Sequence, residues 1–389
     1  MVQTQMTNQL KRSSLVFLLS GKRSAAAAFS LLCVIITAGC GGGSSGGGTT
    51  PPPPAQVATP TVTMTAAQNG GQVVTMADTT SGASIFFTTD GSTPTSTSQQ
   101  YLTPVLIASN VTIKVVATVS GMTDSDVTSQ SVSGIASGAL VWSDEFSNSS
   151  GSNVQPDASV WTYDTGAGGW GNAELETYCA YGSTTSPCDT ALPNTYVGTD
   201  GYLHVVARNA SGGAYTSARL KTQGLFSTSY GRVEALIKMP EGQGLWPAFW
   251  MLGNNITTVN WPACGEHDIM EHINAPLPDW FAGSIHGAGN LNGSVTWPTA
   301  AQTYTASDWH IYGMIWSKGK VQYYIDDPSN VYASFDSTTI TTGTWPFDSD
   351  GGAFIILNMA VGGSWPGAPD ATTPFPSEML VDYVRVYAN

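Results

Sequence analysis

The chain has 389 residues, of which 10% are charged and 10% aromatic, a balance that excludes intrinsic disorder, where aromatics are scarce and charge is high. Thirteen Lys and Arg stand against 27 Asp and Glu, a formal net charge of -14; such a chain repels phosphate backbones, and nucleic acid is not an expected partner. Beyond the N-terminus no apolar run is long enough to span a bilayer, so a bundle of membrane helices is excluded as well.

Residues 1–40 read as an export leader. Basic residues end at Arg23, an apolar stretch follows, and small residues precede Cys40, which is the order of a signal peptide. Ala38-Gly39-Cys40 resembles a bacterial lipobox, although Thr37 stands where that motif prefers Leu. The resemblance implies lipidation of Cys40 and a protein anchored at the bacterial cell surface; the alternative is plain secretion. Any membrane association would run through that anchor alone. Residues 41–56 then form a tether, Gly/Ser-rich and flexible in its first half, proline-rich and extended in its second.

From residue 57 to 135 short alternating runs predict strands at 61–64, 72–76, 84–89 and 111–118, with Asp90-Gly91 as a turn signal. This suits a small Ig/fibronectin-like β-sandwich. The string from Ile85 to Thr95, with Thr112 to Ala117, resembles the C-terminal sandwich of chitobiases and β-hexosaminidases, which implies a spacer or accessory role.

Residues 139–389 hold all 12 tryptophans and all five histidines. Strands are predicted at 201–207, 231–238, 310–316, 320–326, 354–360 and 379–387, and no long amphipathic helix appears. The expected architecture is all-β, two large sheets packed face to face. Trp170, Trp246, Trp261 and Trp365 adjoin Gly, Pro or charged residues instead of sitting in apolar alternation. Indole faces in a cleft suit the apolar face of a sugar ring, so a polysaccharide is the expected partner, met by a monomer. Cys179 and Cys188 are spaced to close a small disulfide loop in an oxidising compartment, which leaves Cys264 as a buried small hydrophobe.

The sharpest feature is Glu266-His267-Asp268-Ile269-Met270-Glu271. On a strand Glu266 and Asp268 share a face while strict alternation sends Glu271 to the other. One extra residue, a β-bulge near Ile269-Met270, would bring Glu271 back. Three acids on one face raise each other's pKa, giving an ionised and a protonated carboxyl near neutrality, the pair that a retaining glycosidase needs. His267 and His272 lack the helical i,i+4 spacing of a zinc protease site, and no cofactor is expected for catalysis.

This Glu-x-Asp-x-x-Glu run, with Trp246-Pro247-Ala248-Phe249-Trp250 before it and the stretch from Asn358 to Gly367 after it, resembles glycoside hydrolase family 16, laminarinase-like branch. The resemblance covers the second domain and implies a concanavalin A-like β-jelly roll with a long cleft. It implies Glu266 as nucleophile, Glu271 as general acid/base and Asp268 as the residue between them, with Asn172, Arg219, Trp246, Trp250, Trp261, His286 and Trp365 lining the cleft. Core packing rivals that role for Trp250, and a structural imidazole rivals it for His286. The resemblance further implies a structural Ca²⁺ held by Asp382 with the carbonyls of Glu145 and Gly201. His267 departs from the family, which has an apolar residue there. The implied activity is an exported endo-β-1,3-glucanase on laminarin-like glucans. The alternatives are mixed-linkage glucan or a galactan, a silent glucan-binding protein, and a structural surface protein.

Overall fold

Alternation fixes the strands first: Val111–Thr118 and Gly231–Lys238 fall where the pattern predicts them, and Trp309–Ser317, Lys320–Ile325, Ala353–Val361 and Ser377–Tyr387 differ from expectation by two residues or fewer at their ends. The computed structural model describes residues 54–274, 279–297, 304–340, 342–348 and 351–389; the expected leader, Cys40 and most of the tether lie outside them. Among the described residues the helices are one short turn, Ile256–Val259, and a 3₁₀ turn, Ser211–Gly213.

Two sheets carry the larger sandwich. One runs Leu291–Trp297, Phe281–Gly287, Glu266–Glu271, Leu245–Gly253, Ala353–Val361, with Arg219–Lys221 and Ser227–Ser229 both bonded to the last of these. The other is built from Val331–Asp336, Lys320–Ile325, Trp309–Ser317, Gly231–Lys238, Ser377–Tyr387 and Leu203–Asn209. Their inner faces meet in one core: Phe249, Met251, Phe281 and Ile285 from the first, Val233, Tyr312, Met314 and Trp316 from the second, all at 0% exposure. Full burial of such side chains stabilises by roughly 1.5–3 kcal/mol each. A satellite cluster of Leu252, Cys264, Phe354 and Ile356 sits on the other face of the first sheet.

The small sandwich does not stand apart. Its strand Val105–Ile107 pairs in parallel with Ser227–Ser229, so the first large sheet continues through Gln72–Ala77 to Thr61–Ala66. Ser227 Oγ donates to the Pro104 carbonyl at 3.1 Å and Asn69 Nδ2 to the Leu140 carbonyl at 2.6 Å. Its second sheet, Gln99–Gln100, Ser84–Thr88, Val111–Thr118 and Thr128–Val132, is separate.

Candidate active site

The acidic strand contains the expected bulge. Phe249 pairs with Met270 and Trp250 with Asp268, which leaves Ile269 without an opposite residue. On the other side Asp268 pairs with Ser284 and Glu271 with Ala282, again one residue too many. The extra residue resets the alternation. Glu266, Asp268 and Glu271 therefore line up with Leu252, Trp250 and Ala248 on the outer, cleft-forming face, and His267 points into the core at 0% exposure.

Each acid is held by a different partner. Trp261 Nε1 donates to Glu266 Oε2 at 2.7 Å, and Trp246 Nε1 to Glu271 Oε1 at 3.1 Å. His286, the register partner of Glu266, lies 3.2 Å from Asp268 Oδ2 and 4.0 Å from Glu266 Oε1 through Nε2. All three carboxyls titrate high. Burial pushes Asp268 up to about 7. Burial, then the charge of Asp268, pushes Glu266 up to about 8, against the opposing His286 ring and Trp261 N–H. Glu271 goes well above the ordinary carboxyl range, through burial and then the charges of Asp268 and Glu266. The three carboxyls thus cannot all be ionised near neutrality; the Trp261 N–H and His286 favour the anion at Glu266, while Glu271 is raised by burial and by the charges of both other acids. An acid beside an anion is the asymmetry that glycosidic cleavage requires. The same Glu266, Asp268 and His286 atoms lie close enough together to hold an ion.

The aromatic residues flank the acids. Trp261 is 57% exposed beside Glu266. At the Glu271 end Trp365, 41% exposed, meets Trp246 edge-on at 5.2 Å and Trp280 at 6.0 Å. Trp250 lies half-buried on the cleft face, packed against the satellite cluster of Leu252, Cys264, Phe354 and Ile356, its Nε1 donating to Asn358 Oδ1 at 2.7 Å and the Arg219 guanidinium 4.5 Å over its ring. Arg219 pairs in register with Asn358, and Asn358 with Ala248 opposite Glu271. Three strand spacings of ~4.8 Å set Arg219 roughly 14 Å across the sheet from Glu271. Asn172 is exposed near this end, its Nδ2 donating to Glu174 Oε1 at 3.1 Å and its carbonyl accepting from Ser364 N at 2.7 Å. The expected cleft residues are thus gathered along one face.

Sequence reasoning did not single out Asn358, Glu174, Tyr178 or Trp280. Asn358 Nδ2 donates to the Tyr178 hydroxyl, which donates to Glu174 Oε2, both at 3.1 Å. The only signal was a polar Asn inside the apolar run Ala353–Val361.

On the outer sheet Leu203 pairs with Val381 and Asp144 with Val384, which sets Gly201 and Glu145 on either side of the strand carrying Asp382. The Glu145 carboxylate is taken by Arg385, at 2.9 and 2.8 Å, which leaves its backbone carbonyl. Burial, then the charge of Glu145, holds the Asp382 carboxyl above its ordinary value. A divalent cation would relieve that repulsion, and these oxygen donors fit a hard ion. Cys179 and Cys188 are joined in a disulfide, and Cys264 is buried.

Residues 190–385 match Glycosyl hydrolases family 16, and residues 62–129 match the Chitobiase/beta-hexosaminidase C-terminal domain. The chain is 38% identical over 268 residues to a beta-glucanase of Rhodothermus marinus, covering 64% of this chain and 84% of that protein. It is 37% identical to a keratan-sulfate endo-1,4-beta-galactosidase of Sphingobacterium multivorum, covering 64% of this chain and 54% of that one. Among solved structures, the catalytic domain of an endo-1,3-beta-glucanase (laminarinase) from Thermotoga petrophila superposes with a TM-score of 0.56 at 36% identity, covering 66% of this chain and 99% of that one.

Proposed function

The chain belongs to glycosyl hydrolases family 16, and from that premise we propose that it is an endo-β-1,3-glucanase cutting laminarin-like glucans by a retaining double displacement. The observation that carries this reading is the bulged strand with Glu266, Asp268 and Glu271 on one face, between tryptophans at both ends. Glu266, ionised, attacks the anomeric carbon, while Glu271 gives its proton to the glycosidic oxygen so that the leaving chain departs neutral. Water then enters, Glu271 takes its proton, and the bond to Glu266 breaks. Asp268, between the two and beside His286, holds charge near Glu266 and modulates its proton. Arg219, Asn172 and Trp250 hold sugar units on one side of the cut, and Trp246, Trp365 and Trp261 pack on ring faces. An open face of this breadth favours cutting within chains.

The remaining expectations complete the proposal. Lipid on Cys40 and the tether would hold a monomeric enzyme at the bacterial surface. A Ca²⁺ ion on Asp382 and the carbonyls of Glu145 and Gly201 would brace the outer sheet and supply no chemistry to the cut. A chelator should then lower the melting temperature and leave the products unchanged; an unchanged melting curve removes the ion from the account.

Reducing-sugar release from a panel of laminarin, mixed-linkage glucan, galactan and cellulose tests the activity. Laminarin should be cut best, and Glu266→Gln should lower turnover by a factor on the order of 10³ or more while the fold persists. Release from galactan alone, or full activity in a folded Glu266→Gln, overturns the reading.

A further inference from the structure

The bulge that turns Glu271 onto the cleft face creates a backbone problem. Ile269 is the residue without an opposite number, and it is fully buried. A bulged residue drops out of the ladder, and a buried carbonyl without a partner is destabilising. Here the Ile269 carbonyl accepts a 2.6 Å hydrogen bond from the Tyr332 hydroxyl, which comes from the opposite sheet.

Tyr332 reaches it through a bulge of its own. Tyr323 pairs with Ala333 and Tyr324 with Val331, so Tyr332 is the unmatched residue of Val331–Asp336. Plain alternation would send it outward with the exposed Ser334; instead its ring stands edge-on to Phe281 at 5.0 Å. Beside it the Tyr323 hydroxyl crosses the same gap to the Ser284 carbonyl at 2.8 Å, and Ser284 is the register partner of Asp268. Gly283 makes room for both rings: a Cβ there would overlap the Tyr332 hydroxyl and lie 2.7 Å from Tyr323 Cδ2. Burial holds both phenols far above their usual pKa, so they remain donors at any working pH.

We propose that Tyr332, supported by Tyr323, is a positioning residue for the reaction: its hydroxyl fixes the bulged peptide at Ile269 and so the direction in which Glu271 presents its carboxyl to the glycosidic oxygen. The inference rests on the reading of Glu271 as the general acid. Without the hydroxyl, the freed carbonyl seeks a ladder partner, and a strand that slips by one residue turns its side chains to the other face. A shift of about 1 Å at an acid costs on the order of 10²-fold in rate.

The test is Tyr332→Phe in the full chain. On laminarin kcat should fall about tenfold to a hundredfold with KM within about twofold. Read as kcat/KM, which reports the first displacement alone, the loss should shrink to a few-fold on dinitrophenyl β-laminaribioside, whose leaving group departs without a proton, and Glu271→Gln should show the same dependence more strongly. A fall in melting temperature with kcat unchanged, or an equal loss on both substrates, makes Tyr332 structural only and overturns the proposal. If Glu271→Gln lacks the leaving-group dependence, the acid assignment falls and the proposal with it. If Glu271→Gln shows it and Tyr332→Phe does not, the proposal alone falls. Should Tyr332→Phe not fold, Gly283→Ala, which displaces the same hydroxyl, carries the same expected and contrary outcomes.

Discussion

The Trp261 side chain, exposed yet bonded through Nε1 to Glu266, is proposed to serve the nucleophile as well as the sugar. An N–H bonded to a carboxylate is worth about 1.5–3 kcal/mol. Trp261→Phe keeps the ring face and removes that donor, so kcat/KM should fall about tenfold to a hundredfold. Glu266 should also become harder to ionise, since the N–H lowers its pKa against burial. In the parent enzyme the acid limb of kcat/KM should lie well above 4.5, the ordinary glutamate value, because burial raises Glu266 and Asp268 together. In Trp261→Phe it should move higher still. An acid limb at or below 4.5, or one that stays put in the variant, contradicts this assignment. At this scale much was legible. The triplet and the flanking tryptophans are conspicuous in sequence because charge and indole are out of place in apolar alternation. Asn358, Tyr178 and Tyr332 were not, because their roles come from cross-strand neighbours far away in the chain.

The Glu266–Glu271 strand shows what periodicity reads well and what it misses. Alternation with one extra residue placed the bulge correctly and sent His267 inward. It could not show that both His267 ring nitrogens lie without hydrogen-bond partners, between Trp316 at 4.9 Å and Phe347 at 4.2 Å. Burial drives this imidazole down to about 3 from 6.5. Below pH 6.5 the unfolded chain binds a proton that the folded chain refuses. The stability carried by the neutral ring is therefore whole above 6.5 and is lost as the pH falls toward 3. His267→Leu removes both the unpartnered nitrogens and the linkage. Its melting temperature should exceed that of the parent, and by more at pH 5 than at pH 8; a gap that stays constant or reverses at pH 5 refutes the account. Phe281–Gly287 and Leu291–Trp297 escaped periodicity for a physical reason. Their glycines at 283 and 293 face aromatic rings of the opposite sheet, Tyr323 and Phe335, so the apolar alternation of the core side is interrupted in sequence at those two positions.

The whole molecule is more continuous than its composition suggests. The shift at residue 139, where tryptophan and histidine begin, reads as a boundary, yet Val105–Ile107 lends its edge to Ser227–Ser229 and joins the two sandwiches in one sheet. Pairing between segments more than a hundred residues apart leaves no local pattern. Removing residues 57–135 should leave the Ser227–Ser229 edge without its parallel partner and strip away the buried contacts of Val105, Leu106 and Ile107, lowering the melting temperature by several degrees and promoting aggregation; an unchanged melting temperature would return the small sandwich to the role of a spacer. The central claim, a retaining cut inside β-1,3-glucan chains, is tested most directly by proton NMR of laminarin during the first minutes of digestion. The account predicts new reducing ends of 1,3-linked oligosaccharides that appear as the β-anomer and only later equilibrate to α. First-formed α-anomer, or glucose as the sole early product, would contradict it.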